Sequence, residues 1–210
     1  MSSLRVVEIF TSIQGESSFM GLPFQFVRLS GCNLRCTWCD TPESYTGPET
    51  HMTVEEILCI LNSVSLNHVC VTGGEPLLQR ACINLLDSLV GCGFTVTLET
   101  NGSLDISPVP ECVHRIMDIK CPSSGMAASF CMDNLSCLTS RDEIKFVIGD
   151  AGDYAYARQF FLDHLSAFTG PVFVSPVLNL IDPEHLAKWV LCDKLPLRIQ
   201  VQLHKLIRCK

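Results

Sequence analysis

Seven short runs rich in apolar and β-branched residues punctuate the chain: Phe24–Leu29, Val69–Thr72, Phe94–Leu98, Arg115–Ile119, Glu143–Ile148, Val172–Ser175 and Arg198–Gln202. Each reads as a strand, and helical patterns lie between most of them. The clearest helix begins at Thr53, where Thr53 and Glu56 form a capping box ahead of Ile57, Leu58 and Leu61. Another starts with Asp182 as N-cap and Pro183 in the first helical position, and a third covers Tyr154 to Leu165. Strands alternating with helices imply an α/β chain with parallel pairing and right-handed crossovers. Periodicity fits an incomplete barrel or an open doubly wound sheet and does not choose between them. In both, ligands bind beyond the C-terminal strand ends, so residues that carry chemistry should follow strands.

With 210 residues, 47% of them apolar and 18% charged, the chain reads as one globular domain spanning 1–210. The net charge of −7 comes with no Lys/Arg run, which argues against a nucleic-acid face; the basic tail His204–Lys210 is short. No stretch resembles a signal peptide or is long enough to span a membrane, so a cytoplasmic protein without membrane attachment is expected. Thirteen cysteines, an odd number, cannot form a fully paired disulfide set within one chain, and a reducing compartment suits them. Cys59, Cys70, Cys82 and Cys92 fall among apolar residues and are expected to act as small buried hydrophobes.

The loop after the first of these strands holds Cys32, Cys36 and Cys39 in Cys-x3-Cys-x2-Cys spacing. Thiolates suit iron–sulfur clusters or zinc. A structural zinc site or a ferredoxin cluster normally has four protein ligands. Asp40 and His51 are the nearby side chains able to complete a zinc site, although carboxylate is a poor fourth ligand there. Three cysteines alone leave one iron of a cubane open to a ligand. A second motif, Thr72-Gly73-Gly74-Glu75-Pro76, follows the next strand; its glycines permit close approach or positive φ, and Glu75 offers an acceptor for an ammonium group. Glu99-Thr100-Asn101-Gly102, Asp118–Gly125 and Val174-Ser175-Pro176 also sit at strand ends.

The triplet with Gly73-Gly74-Glu75-Pro76 resembles the signature of the radical S-adenosylmethionine (SAM) superfamily. Adding Glu8–Glu16, Phe26–Cys32, Cys39-Asp40-Thr41, the segment Asp118–Gly125 and Gln202-Leu203-His204-Lys205, nearly the whole chain resembles the 7-carboxy-7-deazaguanine synthase family. The resemblance implies a partial (βα)6-type barrel with a mostly parallel sheet. It implies a 4Fe-4S cluster on Cys32, Cys36 and Cys39, SAM on its open iron, and Mg²⁺ on Thr41. SAM contacts would come from Trp38, Cys39, Asp40, Gly74, Glu75, Pro122, Ser123 and Ser124. Ile13, Gln14, Gly15, Arg28, Thr72 and His204 would meet the substrate, with Glu16 assisting.

The reaction implied is conversion of 6-carboxy-5,6,7,8-tetrahydropterin to 7-carboxy-7-deazaguanine in queuosine-type biosynthesis. A 5′-deoxyadenosyl radical takes a hydrogen from C6, the ring contracts, ammonia leaves and SAM is regenerated. An electron donor such as a flavodoxin or ferredoxin and a homodimeric state are also implied. Another radical SAM enzyme, such as a glycyl-radical activase, and a non-catalytic electron carrier are the competing readings. Gln14, Arg28 and Thr41 have no reason to co-occur in an activase, and a carrier needs no Gly-Gly-Glu-Pro turn. The family often has glycine where Ser17 stands here.

Overall fold

The computed structural model describes residues 3–209. A hairpin of β1 (Leu4–Ile13) and β2 (Pro23–Leu29) opens the chain, and β3 (Thr50–Met52) pairs antiparallel with the other edge of β1. From β2 the sheet continues in parallel through β4 (His68–Gly73), β5 (Thr95–Thr100), β6 (His114–Ile119), β7 (Glu143–Ile148), β8 (Val172–Pro176) and β9 (Leu197–Ile199). The nine strands lie in the order β3-β1-β2-β4-β5-β6-β7-β8-β9, so the sheet is mostly parallel and does not close on itself.

All seven runs expected as strands form strands, within a few residues. The run Arg198–Gln202 pairs only at Leu197–Ile199: beyond it the Gln200 amide turns to bond the backbone of Ser17 on both its nitrogen and its oxygen. Strands β1 and β3 lie outside the expected set.

Short helix α1 (Glu43–Thr46) precedes β3, and α2 (Val54–Asn62) starts at the expected capping box, with Thr53 Oγ1 accepting from Glu56 N at 3.2 Å and Glu56 Oε2 accepting from Thr53 N at 2.8 Å. Helices α3 (Ala81–Gly91), α4 (Ala151–Phe160) and α5 (Pro183–Asp193) follow β4, β7 and β8. Asp182 caps α5, and the pattern read from Tyr154 continues past α4 as one π-helical segment, Phe161–Leu165. The β5–β6 connection carries no α-helix and the β6–β7 connection only 3-10 turns, so the strand–helix repeat is incomplete at its centre. The last helix, α6, is Leu203–Ile207.

Alternation divides the strands between two faces. On β7, Ile144, Phe146 and Ile148 are buried in the main core, while Lys145 and Val147 line a cleft on the other face. The main core joins the outward strand residues to Leu61 of α2, to Leu85, Leu86 and Leu89 of α3, and to Leu186 of α5. Inside the curve a smaller cluster of Phe24, Phe26 and Cys70, with Phe10 and Phe19, forms a plug. Phe10 and Phe26 stack with centroids 4.9 Å apart and form part of the cleft wall.

The open side is bridged by side chains instead of strand pairing. In the loop between β1 and β2, Ser18 N donates to Glu143 Oε1 at 3.0 Å, and Ser17 exchanges two bonds with Gln200. The N-terminal hairpin is thereby tied to the far end of the sheet.

Cys70 and Cys82 are buried as expected, and burial pushes the Cys82 thiol up to about 12. Cys59 and Cys92 are exposed, contrary to expectation. Cys59 falls off the α2 stripe of Ile57 and Leu61, and Cys92 caps α3. Among the described residues no helix is long and apolar enough to cross a membrane.

Candidate active site

A cleft of about 590 Å³ opens at the C-terminal ends of the parallel strands, where the sequence placed its motifs. Cys32, Cys36 and Cys39 all line it. Their loop is held by its backbone: Gly31 N donates to Ser44 O at 2.7 Å, Glu75 N to Gly31 O at 2.8 Å, Thr37 N to Ser124 O at 3.1 Å and Cys39 N to Cys36 O at 3.2 Å. Leu34 N already donates to Cys32 Sγ at 3.4 Å. The backbone bonds shape the loop, and that contact to Cys32 Sγ leaves all three sulfurs lining the cleft. Burial pushes the Cys36 thiol up against the opposing pull of Lys120, so a cation must replace the proton when the sulfur binds metal.

The thiols fit a cubane better than zinc. Among the described residues no three His, Cys, Asp or Glu side chains converge as ligands for a single ion. His51 lies on edge strand β3, near Ser3 and Glu49, and Asp40 bonds Lys205 and Thr41. Neither is arranged as a fourth ligand. A cube takes each cysteine at a different corner, and these three soft donors share one cleft wall with a corner left over.

Gly73 and Gly74 are required for space. Neither has positive φ. A Cβ on Gly73 would strike the carbonyl oxygen of Leu29, and one on Gly74 would strike Gly31 O and lie 2.5 Å from Cys32 Cβ. The glycines therefore bring the end of β4 against the cysteine loop.

Glu75 is fully buried behind this wall. It accepts from Thr100 Oγ1 at 2.9 Å, Asn101 N at 2.7 Å and Leu77 N at 3.0 Å. Burial pushes its carboxyl up, and these donors draw it back only in part. Its bonds fix Asn101, which lines the cleft. Ser123 and Ser124 also face away from open space: Ser123 donates to Asp153, and buried Ser124 donates to Cys121 O at 2.6 Å. Pro122 opens their 3-10 turn, which supports Thr37. Trp38 and Asp40 line the cleft beside Cys39.

Ile13, Gln14, Arg28, Thr72 and His204 line the same cleft. Gln14 Nε2 reaches Glu99 Oε1 at 3.4 Å, and Thr72 Oγ1 donates to Glu99 Oε2 at 2.9 Å. Arg28 bonds Glu8 across the hairpin through Nε at 2.9 Å, and its guanidinium lies 5.7 Å from the Phe10 centroid. It is thus an ion-pair partner and a cleft residue together. Gly15 makes room for His204, whose ring any side chain there would strike, and its carbonyl accepts from Leu203 N at 3.0 Å. Burial lowers the His204 pKa, favouring neutral imidazole. Thr41 Oγ1 lines the cleft and donates to Asp40 at 3.1 Å.

Residue-by-residue reading missed part of the cleft. Glu99, Asn101, Asp118 and Lys120 lay in segments singled out without individual roles, and Lys145 had no motif at all. The available signal for Lys145 was one cation inside an apolar strand. A chain of bonds runs from the flank of Cys39 around the wall. Asp40 binds Lys205 at 2.8 Å, Lys205 binds Gln202 at 2.5 Å, Gln202 binds Glu16 at 2.5 Å and Glu16 binds Lys145. Asp118 continues it, 3.4 Å from Lys145 and 2.9 Å from Lys120.

Comparison with known proteins agrees with this geometry. Residues 26–124 match the Radical SAM superfamily. The 7-carboxy-7-deazaguanine synthase of Koribacter versatilis is 42% identical, covering 97% of this chain and 96% of the relative. That of Methanospirillum hungatei is 40% identical over 98% and 86%. The crystal structure of QueE from Escherichia coli superposes with a TM-score of 0.78 at 21% identity, covering 95% of both chains. SuiB of Streptococcus suis bound to S-adenosylmethionine gives 0.55 at 12% identity over 85% of this chain and 46% of that one. The chain belongs to the 7-carboxy-7-deazaguanine synthase family of radical SAM enzymes, which use a 4Fe-4S cluster and SAM.

Proposed function

We propose that the protein converts 6-carboxy-5,6,7,8-tetrahydropterin to 7-carboxy-7-deazaguanine with loss of ammonia. One observation carries the reading: three thiols share a cleft with Gln14, Arg28, Thr72 and Glu99, a set suited to a polar, carboxylated heterocycle. When bound, the cluster and SAM supply the one-electron chemistry that starts the reaction.

The chain's own residues divide the remaining work. Cys32, Cys36 and Cys39 hold the cluster, with Trp38, Asp40, Gly74 and Asn101 around the SAM end. Glu75, Pro122, Ser123 and Ser124 act behind the wall, shaping the backbone that meets SAM. Arg28 offers its guanidinium to the substrate carboxylate while Glu8 fixes its direction. Glu99, steadied by Gln14 and Thr72, accepts from ring N–H groups. Ile13 and the Phe10–Phe26 stack provide an apolar surface, and Gly15 and neutral His204 close the mouth. Thr41, whose hydroxyl lines the cleft, would be the residue that holds Mg²⁺, and the ion would supply Lewis-acid polarisation of the substrate carboxylate.

A flavodoxin or ferredoxin serves as reductant, and the enzyme works as a cytoplasmic homodimer. Anaerobically reconstituted protein given the carboxypterin, SAM and dithionite should release the deazaguanine acid, detected by mass spectrometry, with higher yield when Mg²⁺ is present. Cys36→Ala should abolish both iron binding and product. Absence of product from wild-type protein with a full cluster rejects the substrate assignment.

A further inference from the structure

Lys145 is a charged residue in the cleft that no motif explains. Its ammonium meets Glu16 and lies 3.4 Å from Asp118, which Lys120 also binds. The side chains of Lys145, Glu16 and Asp118 are only 13%, 10% and 18% exposed. Removing charges from water is costly, and apolar replacements of such clusters are often no less stable. Stability is therefore a poor reason for this cluster beside a cleft. An ammonium carries three N–H donors; Glu16 and Asp118 account for two, leaving one for a ligand. Asp118 Oδ1 is likewise buried with no partner among the described residues.

Register locates the lysine. Arg28 pairs with Thr72 across β2 and β4, and Val71 with Leu98 across β4 and β5, which puts Glu99 level with Thr72. Glu99 pairs with Ile116, and Lys145 pairs with Asp118, two residues further along β6. From β2 to β7 is four steps in strand order, roughly 19 Å along the sheet at about 4.8 Å per step. Curvature turns that span into two facing walls, with Arg28 on one, Lys145 on the other and Thr72 and Glu99 between. A carboxylate held by Arg28 is out of reach of Lys145, but the far edge of a flat bicyclic ligand is within it. In a carboxypterin that edge is the pyrimidinone ring, whose carbonyl oxygen accepts hydrogen bonds.

We propose that Lys145 donates a hydrogen bond to the pyrimidinone carbonyl oxygen of the substrate, aimed by Glu16 and Asp118, and so selects an oxo group over an amino group at that position. This rests on the substrate reading above. Burial pushes the Lys145 ammonium down, but Glu16 and Asp118 outweigh burial and hold it well above the ordinary lysine value, so it remains a donor.

The test uses reconstituted enzyme with SAM and no reductant, so that binding is measured without turnover. Pterin fluorescence reports the affinities of 6-carboxypterin and of 2,4-diaminopteridine-6-carboxylate, which replaces the oxygen with an amino donor. Wild type should prefer the oxo ligand by about 10- to 100-fold, the range for a hydrogen bond to a charged group. Lys145→Met should reduce the preference below about threefold while leaving unchanged, in a separate dithionite-reduced sample without pterin, the cluster's spin signal with SAM. Should that variant fold poorly, Glu16→Gln/Lys145→Met removes the unpaired charge and the same ratio is read.

Three outcomes overturn the proposal. A wild type that binds both ligands equally rejects the Lys145 contact alone. A variant that keeps the wild-type preference does the same, and if its SAM signal changes, the lysine belongs to SAM. A wild type that binds no carboxypterin rejects the substrate reading and this proposal with it.

Discussion

A methyl group added at Gly74 should damage the protein, and the same group at Gly91 should improve it. At Gly74 the new Cβ would meet Gly31 O, lie 2.9 Å from Gly31 C and 2.5 Å from Cys32 Cβ. Carbon atoms pack at about 3.5–4.0 Å, so Cys32 must withdraw by roughly 1 Å. Because the obstructing atoms are mostly backbone, the whole cysteine loop has to move. Overpacking of this kind costs about 1–3 kcal/mol, and for a chain this long each kcal/mol shifts Tm by about 2–4 °C. Gly74→Ala should therefore lower the Tm of metal-free protein by about 2–12 °C.

Gly91 ends α3, where nothing lies within 4 Å of an added Cβ. Alanine there should gain about 0.5–1 kcal/mol through reduced unfolded-state entropy, raising Tm by about 1–4 °C. Melts by circular dichroism give both signs. Iron and sulfide per chain after anaerobic reconstitution, with the SAM-induced change in the reduced cluster's spin signal, should fall for Gly74→Ala and hold for Gly91→Ala. A Gly74→Ala protein that melts no lower than wild type, assembles its cluster fully and answers SAM normally would refute the spacing argument.

Other perturbations test the scaffold. Arg115→Met leaves Asp142 buried without the guanidinium that now binds it at 2.9 and 2.6 Å, and should cost about 3–5 kcal/mol in urea unfolding. Burial raises the Asp142 carboxyl, but hydrogen bonds from Arg115 and Thr139 outweigh burial and bring it below the ordinary 3.8. The unfolded chain therefore takes up this proton first as pH falls. The stabilisation is present above 3.8 and is lost as pH falls below that value, so Asp142→Asn should show a shallower decline of Tm with acid there. Lys205→Met breaks a pair whose side chains are 34% and 51% exposed, so stability should change by only about 0–1 kcal/mol. It also frees Asp40 beside Cys39, and should raise the SAM KM while Tm falls by no more than about 4 °C; an unchanged SAM KM with a larger Tm loss would reverse that assignment.

The parallel strands and the cysteine loop were legible because their signals are local. β4 and β7 alternate or run apolar within a few residues, Thr53 and Glu56 cap α2 as a pair, and the three thiols share one loop. The residues that were missed depend on register and on distant segments. Strand β1 places Glu8 beside Arg28 only once the hairpin forms, and Lys145 becomes a cleft residue only when β7 lies beside β6 with Lys145 opposite Asp118. The motifs point Glu75 and Ser124 at a ligand, and their oxygens bond neighbours that a linear motif does not reveal. The serine at position 17 has a backbone reason to be unusual: its φ is +65°, the left-handed region that favours glycine. Two bonds to Gln200 and one from Phe19 N to its hydroxyl help to hold that conformation.

The two halves of the cleft are consequently built by different means. The cluster half comes from consecutive strand ends, β2 and β4, locked by backbone bonds around Gly31 and Glu75. The other half is assembled across an opening in the sheet: residues 14–18 come from the hairpin, Lys145 from β7, and Gln200 to Lys205 from the tail. The hairpin and tail segments are held at the cleft by bonds to each other and to Lys145, so the order of the substrate side depends on the bridging of the sheet's open side. The cysteine loop meets the tail only through the exposed Asp40–Lys205 pair, and its backbone bonds do not involve the tail. Disturbing Gln202 or Gln200 should therefore impair substrate handling while leaving cluster assembly intact, because the bonds that hold the thiols in place do not pass through the tail.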